Sequence, residues 1–134
     1  MNCTIVGDSL AVGVANYAPQ CEALARVGIG SGEYLRAYAQ PISGERVVIS
    51  LGANDGPNAE TLENLMLLRG RITAREVFWL LPSRSNQARS AIHAAARAFG
   101  DHLIDTQPVA GPDGLHLSGR AYQAVSQLTM VMTW

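Results

Sequence analysis

The chain has 134 residues, 48% hydrophobic and 16% charged, with a formal net charge of -1 at pH 7. That length and apolar share predict one domain spanning residues 1–134, which buries about two thirds of its unfolded surface around one core. Near-neutral charge without a basic cluster excludes nucleic acid or an anionic membrane as the main partner, and the absence of lysine excludes a P-loop or a lysine Schiff base.

No apolar run reaches the length of a membrane span, and Met1-Asn2-Cys3-Thr4 has neither the charged nor the apolar region of a signal peptide. The expectation is a soluble protein, cytoplasmic by default. A phage-associated protein, or a secreted one whose leader has been removed, reads the same.

Asn2 to Val6 is a β-branched run ended by Gly7 and predicts a first strand. Leu10, Val12, Val14 and Tyr17 among alanines predict a helix that stops before Pro19. Cys21 to Val27 reads as a second strand, broken by Gly28, Gly30 and Gly32, and Glu33 to Ala39 as a short helix stopped by Pro41. Cys3 and Cys21 fall in these two neighbouring strands, where a disulfide is geometrically conceivable. Two buried thiols acting as small apolar residues are the expectation. Arg46 to Leu51 is the clearest strand, nearly all apolar and so buried on both faces, and it ends in the loop Gly52 to Pro57.

Thr61 to Ile72 carries Leu62, Leu65, Met66 and Leu68 at helical spacing, and Glu76 to Leu81 is a strand closed by Pro82. Asn86 to Phe99 is an alanine-rich helix with Gly100 placed as its C-cap. Leu103 and Ile104 form a brief strand. The loop Thr106 to Leu117 contains Gly111, Pro112 and Gly114 and is expected to lack regular structure; Ser118 caps a last helix running to about Met132. Strands alternating with helices predict an α/β fold, a three-layer α/β/α arrangement around a flavodoxin-like five-stranded parallel sheet. The loops after the first three strands, and the one before the last helix, then meet at one edge of that sheet.

Val6-Gly7-Asp8-Ser9-Leu10 places a serine between a buried strand and a small-residue helix, where open α/β sheets put their chemistry. A serine hydroxyl becomes a nucleophile when a histidine, oriented by a carboxylate, takes its proton. Asp113-Gly114-Leu115-His116 supplies both partners in one loop, at a spacing where a tight turn brings the carboxylate onto Nδ1 and leaves Nε2 for Ser9. An oxyanion needs donors, each worth about 3 to 4 kcal/mol. The candidates are the backbone N–H of Ser9, one N–H of the glycine cluster and the side-chain amide of Asn54.

Each piece alone also has a plainer reading. Ser9 can be a helix N-cap, Asn54-Asp55-Gly56 a turn, and Asp113-Gly114 a turn with His116 idle. Asp8 and Asp55 are expected to brace their loops by accepting from backbone N–H groups. His93 and His102 have no partner at useful spacing and are expected to be solvated. Arg84, after the fourth strand, is either a substrate contact or a solvated surface residue. Asp113 and His116 are too few ligands for a metal site, and none is expected.

Gly7-Asp8-Ser9-Leu10, a glycine after the second strand, Gly52-Ala53-Asn54-Asp55 and Asp113-Gly114-Leu115-His116 resemble, in order and across the whole chain, the four sequence blocks of the SGNH (GDSL) hydrolases. The resemblance implies Ser9 as nucleophile, His116 as general base and Asp113 as its orienter, with no cofactor. It implies an oxyanion hole of Ser9 N–H, the second-block glycine and Asn54. Counting back from Tyr34 and Leu35 points to Gly28 for that glycine, which is the expectation, whereas the local match of Gly30-Ser31-Gly32 offers Gly32. Leu117 stands where the family often has proline.

No insertion is long enough to form a lid or a tunnel, which suits a small acyl group. The resemblance therefore implies a serine esterase that removes small acyl groups, acetyl above all, from a carbohydrate or peptidoglycan through an acyl-enzyme. Its partner is a small-molecule or carbohydrate ester. A thioesterase, lysophospholipase or acyltransferase using the same residues is one alternative, and a glycan-binding module with weak or no catalysis is another. A flavodoxin-like cofactor protein fits least, because the first loop lacks a Ser/Thr-rich phosphate cradle.

Overall fold

The computed structural model describes residues 2–131. Strands β1 (Cys3–Gly7), β2 (Glu22–Ala25), β3 (Ile42–Ser50), β4 (Ile72–Leu81) and β5 (His102–Asp105) alternate with helices α1 (Ser9–Ala15), α2 (Ser31–Ala37), α3 (Thr61–Gly70), α4 (Asn86–Phe99) and α5 (Gly119–Val131). The strands form one parallel sheet in the order β2-β1-β3-β4-β5. This is the expected three-layer α/β/α architecture.

Successive residues of a strand face opposite sides of a sheet, and here both sides are covered. Val47, Ile49, Val77, Trp79 and Leu81 pack with Tyr34 of α2, Leu65 and Leu68 of α3, and Ala88, Ile92 and Ala95 of α4. Ile5, Val48, Phe78, Leu80 and Ile104 pack with Leu10 and Val14 of α1 and Val125 of α5. That double cover is why β3 and β4 end in unbroken apolar runs. One polar cluster closes the first face: Asp101 accepts from the Trp79 indole at 2.9 Å and from Arg69 at 2.7 and 3.0 Å.

The elements depart from expectation mainly at their ends. β3 and β4 start at Ile42 and Ile72 rather than Arg46 and Glu76, because their less apolar leading residues pair with each other, Ser43 with Thr73 and Gly44 with Ala74. β2 is confined to Glu22–Ala25, and α2 begins at Ser31, ahead of the expected Glu33. The loop expected to be irregular holds a 3-10 turn at Gln107–Val109 and an antiparallel bridge between Ala110 and Leu117. α4 has the expected bounds and ends at Gly100 in the left-handed region, φ +69°. Ser118 Oγ accepts from Ala121 N–H at the start of α5; Met132, the expected end of that helix, lies outside the described residues.

Two side-chain expectations are corrected. Cys3 and Cys21 are joined in a disulfide rather than standing as free thiols, because the pairing of Thr4 with Glu22 brings the two residues before them together. His102 is not without partners. Its Nε2 lies 2.6 Å from Glu76 Oε2, and its ring stacks on Phe78. Phe78 pairs with His102 across the sheet, and Glu76, two residues earlier, shares that face. His93 is exposed, as expected. Among the described residues no helix is long and apolar enough to cross a membrane.

Candidate active site

The strand order reverses between β1 and β3, and the crevice beyond their carboxyl ends is where such sheets bind ligands. β1 reaches that crevice through a glycine because nothing else fits. Gly7 has φ +134°, and a Cβ there would lie 1.7 Å from the Ser50 carbonyl oxygen. The next N–H, of Asp8, donates to that same oxygen at 2.8 Å.

Asp8, not Ser9, is the N-cap of α1. Its Oδ1 accepts from Leu10 N–H at 3.1 Å and from Ser50 Oγ at 2.9 Å, whereas Oδ2 is buried without a hydrogen-bond partner among the described residues. Burial pushes the Asp8 carboxyl up to about 6, against the opposing pull of Ser50 and the backbone N–H of Leu10. With capping assigned to Asp8, the half-buried Ser9 points its hydroxyl elsewhere: Oγ lies 2.8 Å from His116 Nε2.

His116 stands on the loop between β5 and α5. Its Nδ1 is 2.6 Å from Asp113 Oδ2, and Asp113 Oδ1 accepts from the N–H groups of Leu115 and His116 at 2.9 and 2.8 Å. Gly114, at φ +74°, makes the turn that folds the carboxylate back onto the ring. The His116 ring, with help from those two N–H groups, holds the Asp113 carboxyl down at about 2, so it is an anion at any ordinary pH. Pro82–Ser85, the loop after β4, supports this segment from outside: Ser83 Oγ donates to the Gly114 carbonyl, and Arg84 donates to the Asp113 carbonyl at 3.3 Å. The partner found for Arg84 is thus the backbone of the histidine loop.

On the other side of the crevice, Asn54 Nδ2 donates to the Ile29 carbonyl at 3.2 Å. That bond fixes the amide and leaves its second hydrogen to give. Gly28 is exposed at φ +80°, and a Cβ there would meet nothing within 4 Å. Gly30 is the glycine that lies beside Asn54: its Cβ would stand 3.1 Å from Asp55 Oδ1 and 3.8 Å from the Asn54 carbonyl. At Gly32 the nearest atoms belong to Asn64 and Arg36. Gly30 stands immediately before α2. Asp55 braces this side as expected, accepting from Ser31 N–H at 2.7 Å, and it also takes two hydroxyls that the sequence did not reveal.

Asp113 and His116 are exposed, and a depression of about 330 Å³ lined by Gly111, Pro112, Asp113, His116, Leu117 and Ser118 opens beside them. A larger hollow, about 420 Å³, lies between the starts of α3 and α4 and contains neither Ser9 nor His116. The site is a shallow surface, with a hydroxyl, an imidazole and a carboxylate in hydrogen-bonded sequence.

No family model matches the sequence, and no curated protein matches it. Solved structures do. A carbohydrate acetylesterase from Sinorhizobium meliloti superposes with a TM-score of 0.66 at 13% identity, covering 98% of this chain and 100% of that one. A GDSL-like lipase from Bacteroides thetaiotaomicron gives a TM-score of 0.63 at 16% identity, covering 98% and 86%. The catalytic domain of a peptidoglycan O-acetyltransferase from Streptococcus pneumoniae gives 0.59 at 15% identity, covering 98% and 92%. The chain therefore has an SGNH hydrolase-like fold.

Proposed function

We propose that this protein is a serine esterase acting on small acyl esters, acetyl esters of carbohydrate or peptidoglycan in the first place. The observation that carries the reading is the hydrogen-bonded line from Ser9 Oγ to His116 Nε2, and from His116 Nδ1 to Asp113 Oδ2. In the proposed reaction Ser9 Oγ attacks the ester carbonyl while its proton passes to His116 Nε2. The Asp113 carboxylate keeps the ring in the required tautomer and stabilises the imidazolium. The tetrahedral oxyanion is held by Ser9 N–H and Asn54 Nδ2, with a third donor from the glycine segment. The packing favours Gly30 over Gly28 for that donor. His116 then returns the proton to the departing alcohol, leaving an acyl group on Ser9. Water, activated by the same imidazole, releases the acid.

The shallow, exposed site supports a small acyl group on a large alcohol, and the acetylesterase and O-acetyltransferase among the structural neighbours act on such groups. The disulfide supports an oxidising compartment outside the cytoplasm, since cytosolic thiols are kept reduced.

A fluorophosphonate probe tests the reading. Wild type should be labelled and Ser9→Ala should not, and wild type should release acetate from acetylated sugars or short nitrophenyl esters. Failure of wild type to label would favour a glycan-binding module. Labelling with acetate passed to a sugar acceptor instead of water would favour an acyltransferase.

A further inference from the structure

The carboxylate of Asp55 gathers more hydrogen bonds than a loop brace needs. Oδ1 accepts from Ser31 N–H at 2.7 Å, and Oδ2 accepts from Ser31 Oγ and Thr61 Oγ1, both at 2.6 Å. Ser31 begins α2 and Thr61 begins α3, so one side chain ties together the starts of two helices and its own loop after β3. The donors are held in turn: Asn64 Nδ2 donates to Ser31 Oγ at 3.0 Å, and Gln87 Nε2 of α4 donates to Thr61 Oγ1 at 3.0 Å. Ser31 and Thr61 are buried, and Asp55 is half-buried.

What this hub holds is the donor side of the crevice. Asn54 precedes Asp55, and its amide is oriented by the Ile29 carbonyl. Ile29 and Gly30 lead directly into Ser31, the residue that Asp55 grips by both N–H and hydroxyl. Releasing Ser31 would shift the Ile29 carbonyl, and with it the contact that aims the Asn54 amide. The Gly30 backbone would move with the same segment, since it lies against Asp55.

We infer that Asp55 is a positioning residue for the oxyanion-binding side of the site, acting through the Ile29–Ser31 segment on Asn54 and Gly30 without touching substrate. The inference rests on the esterase reading above. Donors at an oxyanion site work only in register with the developing charge, and a displacement of about 1 Å can cost on the order of 100-fold. An Asp55 change should therefore lower kcat while leaving ground-state binding nearly alone.

The experiment is a double-mutant cycle on ester hydrolysis, read as kcat and KM separately. Asp55→Asn should lower kcat about tenfold with KM within about twofold. On an Asn54→Ala background the same change should cost about threefold or less, because one of the two donors it aims is gone and only the Gly30 part remains. Thr61→Val should lower kcat about threefold and Thr61→Ser should restore it, a pair that reads the hub even where Asp55→Asn fails to fold. Asp55→Asn with kcat within about twofold of wild type, or with the same loss on both backgrounds, overturns the inference, as does equal kcat for Thr61→Val and Thr61→Ser. Fluorophosphonate labelling of wild type separates the two levels. Without labelling the esterase reading fails, and with it the Asp55 role alone is at stake.

Discussion

Ser9 Oγ and His116 Nε2 stand 2.8 Å apart although 107 residues of chain separate them. A hydroxyl used only to cap α1 has no need of that contact, and the cap is already supplied by Asp8. Ser9→Ala should lower ester turnover by about a thousandfold or more, since members of such a triad act as a unit. Circular dichroism should show an unchanged fold, and retained turnover would remove Ser9 from the reaction.

Asp113 should matter almost as much. Asp113→Ala leaves the His116 ring without the acceptor that sets its tautomer, and kcat should fall on the order of 1,000-fold or more. Because the His116 contact holds the Asp113 carboxyl at about 2, its protonation cannot produce an acid limb in the rate profile above about pH 3. Asp113→Asn, which cannot ionise, should be nearly as slow as Asp113→Ala, and kcat within about tenfold of wild type would contradict this assignment.

Asn54→Ala should cost about 100-fold or more in kcat with little change in melting temperature, since among the described residues its amide makes one hydrogen bond, at an exposed position. A loss below about threefold would reduce Asn54 to a turn residue.

Asp8 should give the fold an unusual response to pH. Burial pushes its carboxyl up to about 6 in the folded protein, against an ordinary value of 3.8. Between those values the folded state binds the extra proton, so stability falls as pH rises from about 4 to 6, by up to about 3 kcal/mol. Asp8→Asn keeps an acceptor for Leu10 and Ser50 but cannot ionise. Urea melts at pH 4 and pH 7 should show this decline in wild type and its loss in the variant; identical slopes would place the carboxyl at its ordinary value.

Reduction of Cys3–Cys21 should lower stability by about 3 kcal/mol, the chain-entropy value for a loop closed at a separation of 18 residues. The bond lies at the start of β1, at the opposite end of that strand from Ser9, so kcat at low temperature should not change. Melting curves with and without reductant, beside kinetics on the same samples, check both halves.

The order of elements, the buried strands and the candidate residues Ser9, Asn54, Asp113 and His116 were legible in the sequence, because each depends on local pattern: apolar runs, turn residues and three-residue spacing. What escaped depends on register. The partners of His102 follow from β4 and β5 aligning Phe78 with His102, which no local pattern states. The Cys3–Cys21 bond follows from the β1–β2 register in the same way. The start of α2 at Ser31 instead of Glu33 goes with the grip of Asp55 on Ser31, a contact between the loops after β2 and β3 that no local pattern states.

Both outer strands of the sheet are only four residues long, β2 with Glu22 exposed and β5 ending in Asp105. The long apolar strands β3 and β4 lie inside, shielded by their neighbours. A second chain that tried to extend this sheet would find a short, charged rim with few backbone groups to pair. Aggregation at high concentration should therefore begin only from molecules that have first lost an outer strand, so conditions that keep β2 and β5 in place are the ones that keep the protein dispersed.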